Sequence, residues 1–93
     1  MTMAERIRRK LTDAFVPERL DIVDDSARHA GHAGARDGGE THFSVEIVAA
    51  VFRGKSRVER QRLVYAALAA ELQERVHALA LRTLAPEEET PQA

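Results

Sequence analysis

The strongest transition-metal ligands in this 93-residue chain are four histidines, His29, His32, His42 and His77, and there is no cysteine. Imidazole is the commonest protein ligand for such metals, and it titrates close to neutral pH. His29 and His32 stand in a glycine-rich stretch, His29-Ala-Gly-His32-Ala-Gly34. His42 opens an alternating run and His77 begins the last one. Iron–sulfur clusters are normally held by cysteine thiolates. A chain without cysteine can therefore give such a centre only nitrogen ligands, and a partner would have to bring the sulfur.

A second chemistry is carried by cations. Arg53, Lys55, Arg57, Arg60 and Arg62 form a basic run interrupted only by Glu59. On a solvated helix face these charges would do nothing specific. Facing outward together, they could meet an acidic partner or DNA phosphates, because a helix after a tight turn is the edge of a helix-turn-helix. Only a few phosphates could be neutralised, so binding would be weak and strongly salt-dependent. No aromatic platform accompanies the arginines, which argues against stacking on single strands. Gly54-Lys55-Ser56 has the ending of a phosphate-binding loop, but Ala49 stands where the earlier glycine is needed. A turn and a helix cap is the better reading. No nucleophile, base and orienting group fall together, so the chain is not expected to be an enzyme.

The elements that must position these groups follow from periodicity. Thr2 and Glu5 have capping-box spacing, and Met3, Ile7, Leu11, Ala14 and Phe15 share one face of a first helix that Pro17 stops. Leu20 and Ile22 alternate with Asp21 and Val23 in a short strand ending at Asp24-Asp25-Ser26. Residues 26–40 have no periodicity and read as a flexible, functional loop. Phe43, Val45, Ile47, Ala49 and Val51 then share one face of a strand that forms a hairpin with the first. Phe52 to Ser56 is a turn, with a short helical turn expected before the long helix. Ser56 and Glu59 make a second capping box, opening a helix that runs to about Arg75. Its expected inner face is Val58, Leu63, Val64, Ala67, Leu68 and Leu72, with Tyr65 also in the packing. Val76 to Leu84 alternates as a last strand, with His77, Leu79 and Leu81 on one parity.

The order is helix, strand, strand, helix, strand. A small three-stranded sheet with its helices on one face buries both patterns, an α/β (α+β) arrangement. One domain over residues 1–86 is expected, with 87–93 as a disordered acidic tail. Chains of this size bury roughly 60–70% of their unfolded surface, enough for a single core. A net charge of −1 removes any long-range pull on nucleic acid or acidic membranes. The apolar runs fall well short of the ~20 residues of a membrane helix. A cytoplasmic protein with no membrane partner is expected.

The order of elements and several local strings resemble the BolA family. The matching residues are Glu40-Thr41-His42-Phe43, then Phe52-x-Gly54-x-Ser56, Arg60-x-Arg62-x-Val64-Tyr65, Glu71-Leu72, and Val76-His77-Ala78-Leu79. The resemblance covers nearly the whole chain to Pro86, and the histidine-loop type of the family is the one it matches. It implies a fold similar to the class II KH domain. It also implies a heterodimer with a monothiol glutaredoxin around a shared [2Fe–2S] cluster, in iron–sulfur assembly, trafficking or iron regulation. The glutaredoxin contributes its cysteine and a bound glutathione; the BolA side contributes a loop residue and His77. Measured from the strand before the loop, the loop ligand is His29; measured from Glu40-Thr41-His42 it is His32, the alternative. BolA-like proteins are also described as transcriptional regulators, which makes duplex DNA a second candidate partner, and a weak homodimer is compatible with either role. Two departures stand out. Gln61 replaces the usual histidine between the arginines of the long helix, and Glu88 and Glu89 stand where the tail often carries an aromatic residue.

Overall fold

The computed structural model describes residues 1–25 and 41–89. Helix α1, Met3–Phe15, starts where the Thr2 hydroxyl accepts the Glu5 backbone N–H at 3.1 Å. It ends at Val16, which adopts a left-handed conformation (φ 46°) and donates its N–H to the Thr12 carbonyl. Pro17 disfavours a helical residue before it, so the chain leaves the helix there even though a β-branched residue must take the left-handed turn. Strand β1, Arg19–Asp24, follows at once.

Strand β2, His42–Val48, pairs antiparallel with β1, Leu20 opposite Ile47 and Ile22 opposite Val45. The chain then makes a 3-10 turn, Ala50–Phe52, and a tight turn at Gly54, whose φ of +74° favours glycine. Ser56 opens α2, Arg57–Ala67, with both arms of the capping box formed: Ser56 Oγ accepts the Glu59 N–H, and Glu59 accepts the Ser56 N–H. A joint at Leu68 separates α2 from α3, Ala69–Glu74. Strand β3, Ala78–Leu84, returns parallel to β2, giving the sheet order β1-β2-β3. A final 3-10 turn spans Pro86–Glu88.

The core lies between the sheet and the helices. Met3, Ile7, Leu11 and Phe15 of α1 meet Phe43, Val45 and Ile47 of β2, with Ala49, Phe52, Val64, Leu68 and Val76 completing it. The expected small α+β fold with a three-stranded sheet is the one observed. Several details differ from the periodic reading. The strand stops at Val48, so Val51 sits exposed on the 3-10 turn, and Ala14 is exposed on α1. The expected helix to Arg75 is two helices. Its inward stripe is Arg60, Val64 and Leu68, followed by Glu71, while Val58, Leu63 and Tyr65 are exposed. Two charged residues hold inward positions because each is bound by several partners, so the apolar side chains flanking the stripe turn out instead.

The described chain continues past Pro86 to Glu89. Glu87, Glu88 and Glu89 each form an ion pair, with Arg53, Arg60 and Arg19 respectively.

Candidate functional site

Two groups of chemistry-bearing residues lie at opposite ends of the crossover that joins β2 to β3. The first is built around His77. Val76 is buried and donates its N–H to the Glu71 carbonyl at 3.0 Å. His77 donates its own N–H to the Thr41 carbonyl at 2.8 Å, and Ala78 shares that acceptor at 3.2 Å. The backbone of His77 is thus held on both sides, while its imidazole is exposed. Thr41 is itself buried at the start of β2.

This end of the sheet is also where residues 26–40 leave and rejoin the fold. Asp24 is opposite Phe43 in the register, and the Ser44 hydroxyl donates to the Asp25 carboxylate. The chain therefore departs beside the start of β2 and returns directly into Thr41. His29 and His32 lie in that segment, outside the described residues. One end of their segment thus follows β1 beside Phe43 and Ser44, and the other runs into Thr41, whose carbonyl holds the His77 N–H.

His42 is a different case. Along β2 it alternates with the buried Phe43, and its Nδ1 lies 2.8 Å from the Thr41 hydroxyl. It falls on the parity of Ser44 and Glu46, whereas Leu79 and Leu81, the parity of His77, pack against the core. His77 itself lies one residue before β3, at the strand entrance rather than on a face of the sheet. Among the described residues no three histidine, aspartate or glutamate side chains gather to hold a metal ion by themselves. An exposed imidazole on a fixed backbone suits one position of a shared centre: it supplies a nitrogen ligand and leaves the rest to other groups.

The second group is the basic run, and the structure divides it. Arg60 is 7% exposed and faces inward, correcting its expected place on an outer basic face. Its Nε donates to the Lys55 carbonyl at 3.0 Å and its NH1 to the Thr83 carbonyl at 3.1 Å. NH1 and NH2 reach the two Glu88 oxygens at 2.5 and 3.0 Å, and the guanidinium carbon lies 5.9 Å from the centre of the Phe52 ring. These contacts tie the start of α2 to β3 and to the final 3-10 turn. The Arg60 hydrogen bonds, with that from the Ala85 N–H, pull the Glu88 carboxyl down to about 2. Arg53 is bound through Nε to both oxygens of Glu87, each at 2.8 Å. Lys55, Arg57 and Arg62 are exposed.

Sequence reasoning missed two buried charged positions, Arg60 and Glu71. Glu71 is fully buried in α3 and is held by Lys10 and Arg6 of α1, each at 2.9 Å, with Glu74 taking a second Arg6 bond at 2.7 Å. Burial works to raise the Glu71 carboxyl, but the hydrogen bonds from Lys10, its own backbone and Arg6 outweigh it and hold the group below its usual range. The Glu71 carbonyl also receives the N–H groups of Arg75 and Val76, so this residue fixes the approach to His77.

Residues 11–88 match the BolA-like protein family. The chain belongs to that family. A Sinorhizobium protein named only "Uncharacterized protein in cobS 5'region" is 45% identical over 91 residues, covering 97% of this chain and 98% of that one. The "DNA-binding transcriptional regulator BolA" of Escherichia coli is 46% identical over 83 residues, 89% of this chain and 75% of the relative. Among solved structures, the BolA domain of SufE1 from Arabidopsis thaliana superposes with a TM-score of 0.84 at 42% identity, covering 96% of this chain and 98% of that domain. Other relatives are longer: this chain spans 54% of a plant BolA protein and 56% of human BolA-like protein 1. A BolA-like unit thus occurs both as most of a protein and as part of a larger one. Among the described residues no helix is long and apolar enough to cross a membrane.

Proposed function

We propose that this BolA-like chain is a non-enzymatic iron–sulfur adaptor. It forms a heterodimer with a monothiol glutaredoxin and supplies histidine ligands to a shared [2Fe–2S] cluster. The observation that carries the reading is His77, with its backbone fixed on both sides and its ring exposed where the His29- and His32-bearing segment enters and leaves the sheet. His77 and one loop histidine, His29 or its alternative His32, would hold iron; the partner's cysteine and glutathione would bring the thiolates that this chain lacks. The cluster, when bound, supplies one-electron and transfer chemistry. This chain's residues bind and orient. Thr41 and Glu71 hold the backbone that presents His77, and iron competes with protons for imidazole, so the complex weakens on acidification.

The test is an anaerobic visible circular-dichroism titration of cluster-loaded monothiol glutaredoxin with wild type and His77→Ala. A spectral change saturating at one-to-one, and lost in the variant, is expected. The same complex formed by both proteins would remove His77 from the ligand set.

A second reading, a DNA-binding regulator, is favoured by the similarity to the E. coli DNA-binding transcriptional regulator BolA and by the exposed cations Lys55, Arg57 and Arg62 around the α2 N-terminus. Arg57→Ala should then weaken duplex binding and lower the slope of log affinity against log salt by about one. Indifference of the wild-type protein to duplex DNA at low salt would end this reading.

A further inference from the structure

The last three described residues are consecutive glutamates, and each carboxylate meets a different arginine. A run of like charges is ordinarily solvated and self-repelling. Here Pro86 sets the first backbone angle of a 3-10 turn, Glu88 accepts the Ala85 N–H at 2.8 Å, and the three side chains spread onto separate cations. Two of those cations, Arg53 and Arg60, belong to the basic run. The face that would meet a polyanion already carries one, supplied by the chain itself.

We infer that the acidic turn is an internal stand-in for DNA phosphate, with Glu87 and the duplex backbone competing for Arg53. The inference rests on the DNA-binding reading. It assigns distinct roles to three adjacent residues of the same type. Glu88 neutralises Arg60, which is buried and tied to two carbonyls, so its release would present no new charge to a ligand. Glu89 meets Arg19, which also pairs with Asp21 and Glu46, so Arg19 stays neutralised when Glu89 is removed. Glu87 alone holds an exposed arginine of the basic run, through both carboxylate oxygens. Among the described residues, Glu18 also acts on Arg53, through a weaker charge interaction. Among the described glutamates of the turn, Glu87 is the one whose removal releases a phosphate-binding cation.

The position dependence gives the test its control, because Glu87→Gln and Glu89→Gln change the net charge equally. Binding of a fluorescently labelled duplex is measured by anisotropy across a salt series for wild type, both single variants, and Glu87→Gln combined with Arg53→Ala. Expected is an affinity gain of about two- to fivefold for Glu87→Gln, with a salt slope steeper by about one. Glu89→Gln should stay near wild type, and Arg53→Ala should abolish the gain. Equal gains in the two single variants, or a gain that survives Arg53→Ala, would reduce the effect to net charge and overturn the competition. Duplex binding with no gain in Glu87→Gln would also overturn it while leaving the DNA reading in place. No binding by any variant at low salt would end the DNA reading and the competition with it.

Discussion

Arg60 stands in the first turns of the crossover between β2 and β3, and His77 is the residue from which the crossover enters β3. Both carry side chains suited to recognition, yet their surroundings are opposite. The Arg60 guanidinium is buried, with a carboxylate, two carbonyls and an aromatic ring around it. At His77 the backbone is fixed and the ring is exposed. A cation with four of its five N–H donors used inside the fold serves architecture. An imidazole on a fixed backbone and exposed to solvent is available to something outside the fold. Residue type announces neither role; the partners decide.

The contrast is sharpest in stability. Arg60→Ala should cost about 2–4 kcal/mol in urea unfolding, since it strips the Glu88 carboxylate of its charged partner and two carbonyls of a donor. His77→Ala should change stability by no more than about 0.5 kcal/mol, as expected for an exposed side chain. Comparable losses for the two variants would break the distinction. Glu71→Gln falls between them, at about 2 kcal/mol: it weakens the tie to Arg6 and Lys10, but those two cations are partly exposed and regain water. It should also loosen the approach to His77.

Acid provides a finer probe. The Glu71 and Glu88 carboxyls are both held below the ordinary 4.5, so the unfolded chain binds more protons than the folded one in that range. Stability contributed by these groups is complete above about 4.5 and falls as pH drops below it, for Glu88 down to about 2. Glu71→Gln should flatten the acid limb of a stability-against-pH curve, and His77→Ala should leave that limb unchanged.

The capping signals at Thr2 and at Ser56 with Glu59 were legible because they act within one turn of chain. So was the hairpin, since the alternation Phe43, Val45, Ile47 leaves only one face for the core. The inner face of α2 was not legible. The partner of Arg60 is 28 residues away and one partner of Glu71 is 65 residues away, and no local pattern encodes such pairs. Reading apolar as inward therefore buried Val58 and Leu63 wrongly and put Arg60 at the surface. His77 could be singled out by its place before the last strand and by family resemblance. That its backbone would be anchored to Thr41, at the return of the histidine-bearing segment, needed the parallel register of β2 and β3.

That parallel register also bears on how the His77 site comes into being. Thr41 and His77 are joined only when β3 has docked beside β2, across a crossover that includes α2, the Leu68 joint and α3. Parallel pairing of this kind closes a long loop and is among the slower events of folding. A nascent or partly unfolded chain carries the histidine but cannot present it on a fixed strand entrance. Under the proposed adaptor role, competence to bind would in this way be coupled to completion of the fold, and a chain still folding would not divert a partner from finished molecules.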